Sequence, residues 1–185
     1  MTIAAVVLAA GGGSRWDGEG HKLLADVRGR PLAAHSIDAA AAAGLDELVV
    51  VTGAADLASL LPASATVIHN PDWADGQAIS LQRAVAHCRA VGHEAMVVGL
   101  ADTPGVPAEA WLAVAGQPGD LVCAPFDGHR RPPVKVAAHL WDELPVSGDS
   151  GARLLLRWRA SEAVEVACDG EPADIDTVDD LLAWN

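Results

Sequence analysis

The chain has no tyrosine and a single phenylalanine in 185 residues. A core built on those rings is excluded, so six tryptophans carry the aromatic volume and aliphatic side chains must fill the interior. Cysteine is also scarce. Cys88, Cys123 and Cys168 lie far apart with no C-x-x-C pair, which removes a disulfide framework. Each is expected to be a small buried apolar side chain in a reducing compartment. Positive charge is the third shortage: 12 Lys and Arg stand against 25 Asp and Glu, a net charge of −13. Nucleic-acid binding and anionic membranes both depend on clustered Lys and Arg, so neither is expected as a partner. An acidic chain that holds a polyphosphate must gather its few basic residues in one place or recruit a divalent cation. Long apolar runs are missing as well, because Gly, Asp or charged residues interrupt each one, so no transmembrane span is expected. The first apolar run lacks a basic flank, no signal peptide is predicted, and the expected location is the cytoplasm. The seven His show no i, i+4 pair and no H-E-x-x-H, which argues against a structural zinc site. G-x-S-x-G is absent, and no Ser or Cys sits in a nucleophile pattern.

What is present begins with Ile3-Ala4-Ala5-Val6-Val7-Leu8-Ala9-Ala10, a short apolar run that reads as a buried parallel strand. Gly11-Gly12-Gly13 follows at once. Glycines let the backbone approach a ligand closely, and successive N–H groups in such a turn form a nest for anions. Ser14 adds a hydroxyl, and Arg15 and Lys22 add positive charge. The sum is a phosphate cradle at a strand end. It is not a P-loop, since no G-K-[ST] closes it. Nor is it G-x-G-x-x-G opening a helix, since Trp16-Asp17-Gly18-Glu19-Gly20 continues as irregular polar chain.

Along the rest of the chain, helices are predicted at 32–43 behind Pro31, 54–61, 80–91, 107–115, 150–159 and 178–184. Strands are predicted at 47–52, 66–69, 95–100, 121–124, 134–137 and 163–167. Alternation at this spacing means βαβ units and a parallel sheet. A hairpin or antiparallel edge is expected around the polar turn 127–131. Thr177 is a predicted helix N-cap. No repeat or linker divides the chain, so one domain spans 1–185.

In an open parallel sheet, ligands bind beyond the carboxyl ends of the strands. The glycine turn, the loop 70–76 and Asp102 all fall there. Asp102 in Asp102-Thr103-Pro104 suits a Mg²⁺ site, which needs few protein oxygens beside phosphates and water; a helix-capping role fits it equally. Asp174 and Asp176 would point the same way on an extended segment. The attacking group in phosphoryl-type transfer would need no protein base if it were itself a phosphate.

Leu8-Ala9-Ala10-Gly11-Gly12-Gly13-Ser14-Arg15 followed by Lys22 resembles the signature of nucleotidyltransferases that pass an NMP group to a phosphorylated acceptor. Within them the chain most resembles the molybdenum cofactor cytidylyltransferases and their MobA-like relatives. Two departures mark the loop: Trp16 stands where that family has Met, and the spacing from Arg15 to Lys22 is two residues longer. The resemblance implies a Rossmann-like three-layer α/β/α fold with a mostly parallel sheet, of the nucleotide-diphospho-sugar transferase type. It implies nucleotide binding by Leu8, Ala9, Ala10, Gly11, Gly12, Gly13, Ser14, Arg15 and Lys22, with Arg15, Lys22 and Asp102 catalytic. Asn70-x-x-Trp73-x-x-Gly76-x-x-x-Ser80 matches the family's segment for base and ribose, which brings in Asn70, Gly76 and Ser80. Asp102, with Asp174 and Asp176 of D-I-D-T, would hold Mg²⁺. Gly148-Asp149-Ser150-Gly151-Ala152-Arg153 would shape the acceptor side. Gly128-His129-Arg130-Arg131-Pro132-Pro133 sits where the family has a G-H-P turn, with Pro132 in place of that His; its arginines would meet an acceptor phosphate or stand solvated. The implied donor is CTP, favoured over GTP by Ala9-Ala10-Gly11 where the guanylyl branch carries A-G-G. The implied acceptor is molybdopterin bearing molybdenum, with a molybdoenzyme or chaperone as a further partner. The alternatives are a guanylyl or sugar- or polyol-phosphate transferase of the same fold, or a nucleotide-binding delivery protein without turnover.

Overall fold

The computed structural model describes residues 1–126 and 128–184. Its elements are β1 (Ile3–Ala9), β2 (Asp26–Val27), β3 (Arg30–Pro31), α1 (Leu32–Ala42), β4 (Glu47–Thr52), β5 (Thr66–His69), α2 (Gln77–Val91), β6 (Ala95–Leu100), α3 (Ala108–Gly116), β7 (Leu121–Phe126), β8 (His129–Ala137), α4 (Arg153–Trp158), β9 (Val164–Glu165) and α5 (Val178–Trp184). Seven strands form one sheet in the order β5-β4-β1-β6-β8-β7-β9, and β2 and β3 make a separate ribbon. β8 is antiparallel to both β6 and β7, while the other pairings in the main sheet are parallel.

β1 is buried along its whole length, as its unbroken apolar sequence requires of a central strand covered on both faces. Its side chains alternate between two cores. Ala5, Val7 and Ala9 join Ile37 of α1 and Trp111 of α3. Ala4, Val6 and Leu8 join Leu81 of α2 and Leu155 of α4. That division makes three layers, helices on either side of the sheet, with small alanines in β1 allowing close approach. Burying a Leu or Ile such as Leu81 or Ile37 in these cores contributes about 1.5–3 kcal/mol each. Cys88 and Cys123 are fully buried and Cys168 half-buried, all three as free thiols. Burial pushes the Cys88 thiol up to about 12 and Cys123 up to about 11, so both behave as apolar fillers. Lys135 is buried because its ammonium donates to the Ala115 and Gln117 carbonyls at the end of α3.

Several expected elements differ. The 54–61 segment makes only a one-turn 3₁₀ helix, Ala58–Leu60. The Asp56 carboxylate accepts from Ala58 N–H at 3.0 Å, a local turn that competes with a longer helix. The 150–159 helix starts later, at Arg153. The predicted strand 163–167 shrinks to β9, which pairs with β7 over Val122 and Cys123. The polar turn 127–131 is tighter than expected, since His129, Arg130 and Arg131 already belong to β8; Asp127 lies outside the described residues. β8 does form a hairpin with β7, but it inserts inside the sheet rather than ending it. Among the described residues, no helix is long and apolar enough to cross a membrane.

Candidate active site

The chain leaves β1 for β4 and β5 on one side and returns to β6 on the other. That reversal opens a crevice beyond the carboxyl ends of β1 and β6. A cavity of about 500 Å³ lies there. Its walls include the glycine turn, Lys22, Trp73, Gln77, Asp102 and Asp176.

The turn closes where Trp16 N–H donates to Gly13 O at 2.9 Å, with Gly13 at φ +66°. Trp73 packs on Gly12 so tightly that a Cβ there would sit 2.4 Å from its ring. Ser14 and the half-exposed Trp73 face the cavity. The backbone cradle therefore packs against an indole that shares the cavity wall with it.

Lys22 sits on a 3₁₀ turn, Lys22–Leu24, and is 8% exposed. Its ammonium lies 2.7 Å from Asp102 Oδ2 and 2.7 Å from Asp176 Oδ1. Burial is the largest single influence on Lys22 and opposes its charge. The two carboxylates together outweigh it and raise the pKa above the usual lysine value. Arg15, largely exposed, reaches Asp176 Oδ2 at 2.7 Å. In the free protein the two cations and the two carboxylates are thus each other's counterions.

Asp102 follows β6, whose ladder to β1 continues as Ala101 N–H donates to Leu8 O at 3.1 Å. Its Oδ1 is buried without a hydrogen-bond partner. The carboxy-terminal segment is fastened beside it: Ile175, fully buried, donates its N–H to Asp102 O at 3.0 Å. Thr177 caps α5 as the sequence predicts, with Asp180 accepting from the Thr177 and Asp176 N–H groups. Asp17, from the loop after the glycine turn, accepts from Val178 N–H at 3.1 Å and ties the two segments together.

The three acids expected around one ion do not converge on one point. Among the described residues no three His, Cys, Asp or Glu side chains form a group able to hold a metal. The Lys22 ammonium occupies the gap between Asp102 and Asp176. Asp174 lines a smaller adjoining cavity with Gln77, Arg131 and Arg153. Burial, then the charges of Asp102 and Asp176, raise the Asp174 pKa, against the pull of Arg131 and Arg153.

The remaining expected residues divide. Asn70 is fully buried and not part of the cavity wall. Its amide donates to Ser80 Oγ at 2.9 Å and its oxygen accepts from Asp72 N–H and Arg83 Nε, so it braces the loop and has no reach toward a base. Ser80 does line the cavity. Gly76 also lines it, but its φ of +110° and a Cβ position 2.5 Å from Gly148 O show that the close neighbour is the 148–151 backbone. Arg130 turns away to Glu165 and the Ala160 carbonyl. Asp149, expected on the acceptor side, lines the main cavity. Sequence reasoning passed over Gln77 on the cavity wall, and His21, whose ring bridges Gly11 O and Leu23 N–H. Their positions next to Gly76 and Lys22 were the available signal.

The family model described as "MobA-like NTP transferase domain" matches residues 5–165. Nicotine blue oxidoreductase of Paenarthrobacter nicotinovorans is 31% identical over 97% of this chain and 94% of its own length. The bifunctional protein GlmU of Dinoroseobacter shibae is 38% identical over 62% of this chain but only 26% of its own length. Among solved structures, Rv0371c of Mycobacterium tuberculosis superposes with a TM-score of 0.87 at 26% identity, covering 100% of this chain and 97% of that one. A structure of Rv0371c in complex with manganese gives a TM-score of 0.82 at 25% identity, over 100% and 98%.

Proposed function

The chain belongs to the MobA-like NTP transferase family, and on that premise we propose that it transfers CMP from CTP to the terminal phosphate of a molybdenum-bearing molybdopterin and releases pyrophosphate. The observation that carries a transfer reaction is the juxtaposition of the glycine turn, Lys22 and Asp102 in one cavity at the sheet's switch point. CTP rests on Ala9-Ala10-Gly11, and molybdopterin on the sequence resemblance.

An oxygen of the acceptor phosphate attacks the α-phosphorus. The bond from that phosphorus to the α–β bridging oxygen breaks, and pyrophosphate departs with the electron pair. The acceptor is already anionic, so no protein base is needed. The glycine N–H groups, Arg15 and Lys22 take up charge on the departing phosphates, and the work is positioning and neutralisation. The donor set suits Mg²⁺: Asp102 Oδ1 is buried and unpartnered, Asp176 is adjacent, and this ion needs only one or two carboxylates beside phosphate and water. Asp102 and Asp176 would hold it, with Asp174 next door, and it would supply neutralisation of the phosphate oxygens. Manganese in the Rv0371c complex favours a divalent cation here too. A bound triphosphate would offer Lys22 and Arg15 phosphate oxygens in place of the carboxylates they now pair with. The adjoining cavity beside Arg131 and Arg153 suits the acceptor's anionic end.

Pyrophosphate release tests the proposal. With CTP, Mg²⁺ and molybdenum-loaded molybdopterin, the wild type should release it stoichiometrically with dinucleotide. Asp102→Asn should lose about 100-fold or more, the usual scale for removing a preorganised charge. An undiminished rate in Asp102→Asn removes Asp102 from the reaction.

A second reading has its own observation. A relative aligned over 97% of this chain is named an oxidoreductase, so electron transfer to a bound organic substrate in the same cavity is the competing activity. Oxidation of NADH or NADPH without pyrophosphate release would favour it.

A further inference from the structure

We infer that His21 is a positioning residue that locks the phosphate-binding glycine turn to the turn carrying Lys22. The inference rests on the nucleotide reading above. His21 is not on the cavity wall, so it acts through its two neighbours. Its Nε2 lies 3.0 Å from Gly11 O, and its Nδ1 accepts from Leu23 N–H at 3.2 Å. Only one tautomer serves both contacts: Leu23 is a donor, so Nδ1 must be bare and Nε2 must carry the proton. One ring thereby sets the spacing between the backbone nest and the ammonium that faces it.

The sequence between the two turns gives such a strut a role. Arg15 and Lys22 are separated by Trp16-Asp17-Gly18-Glu19-Gly20-His21, which contains two glycines and no helix or strand. Covalent connection through that segment leaves the spacing loose. The imidazole spans it directly, and no other side-chain hydrogen bond joins the glycine turn to the Lys22 turn among the described residues. Protonation would break the lock, because Nδ1–H would confront Leu23 N–H. Burial and the Lys22 charge, opposed by the Gly11 bond, hold the ring below its ordinary pKa and keep it neutral. Lys22 is the charge set against it.

The test uses His21→Ala, His21→Asn and His21→Gln, with calorimetric affinity for CTP and Mg²⁺ beside steady-state rates. His21→Ala should bind CTP about tenfold more weakly, as expected for two lost hydrogen bonds. Asn reproduces the Nδ1 position and keeps the Leu23 cap, so kcat should stay near wild type while KM rises. Gln reproduces Nε2 and keeps the Gly11 contact, so affinity should recover while kcat stays low. Wild-type affinity should fall more steeply than that of His21→Gln, which cannot titrate at this position, as pH drops below the ordinary histidine value. His21→Ala with wild-type affinity, or the same pH profile in wild type and His21→Gln, overturns the inference. Wild type that binds no nucleoside triphosphate overturns the functional reading instead.

Discussion

Lys22→Met removes the ammonium that bridges two carboxylates and keeps most of the aliphatic stem. Lys22 is 8% exposed, and the side chains of Asp102 and Asp176 are 20% and 14% exposed. Breaking a buried pair by deleting one partner costs about 3–5 kcal/mol. Two features reduce that here: Arg15 still neutralises Asp176, and the acids retain some solvent. The expected loss is about 2–3 kcal/mol at pH 7, or roughly 4–12 °C in Tm for a chain of this size. Because the carboxylates raise the Lys22 pKa, its contribution is complete below the unfolded value of 10.5 and fades only as pH rises through the folded one. The variant also leaves two facing acids without their shared cation. Mg²⁺ should therefore stabilise Lys22→Met more than wild type in the absence of nucleotide. Urea unfolding at pH 7, with and without 10-fold steps in Mg²⁺, reads both effects. A loss below about 0.5 kcal/mol would place the bridge among solvated surface pairs, and an equal Mg²⁺ response in both proteins would refute the idea that Lys22 fills the cation position.

Two further outcomes follow from the fold. Glu47 accepts from Thr66 Oγ1 at 2.5 Å and pairs with His87 and His93, and although burial opposes its charge these partners hold its pKa at about 2 against 4.5. A depressed carboxylate stabilises above its unfolded value, so Glu47→Gln should be less stable by about 1–2 kcal/mol at pH 7 once solvent screening of the pair is allowed for, with the gap closing as pH falls from 5 toward 2 in acid titrations; a constant gap over that range would assign the loss to packing. Gly76→Ala should cost at least about 1–3 kcal/mol by thermal unfolding, since φ is +110° and the methyl would meet the Gly148 carbonyl at 2.5 Å, and a neutral result would mean that the 148–151 loop yields freely.

The parts that could be read from the chain were those where one residue type has one use. The 3–10 run had to be a covered strand, three glycines behind it had to turn, and Asp102 at the end of β6 had to lie at the sheet's open end. Polar residues with two uses were ambiguous. Asn70 offers the same amide to a ribose or to Ser80 and Arg83, and only burial decides between them. His21 looked like any loop histidine until both ring nitrogens found backbone partners. Asp174 and Asp176 share a side of an extended segment, yet Lys22 and Arg15 draw Asp176 into the main cavity while Asp174 faces Arg131 and Arg153. Pairings across long sequence gaps, such as Ile175 on Asp102, have no local signature at all.

The most direct measurement is a thermal-shift series with CTP, GTP, UTP and ATP, each with and without Mg²⁺. Ligand at 100 times Kd stabilises by about 2.7 kcal/mol, roughly 5–11 °C for a chain of this size. The cavity predicts a rise with a nucleoside triphosphate and Mg²⁺, and the proposed use of CTP, read from Ala9-Ala10-Gly11, predicts that CTP with Mg²⁺ gives the largest, with a smaller one when either is left out. A melting temperature unmoved by every nucleotide contradicts the account.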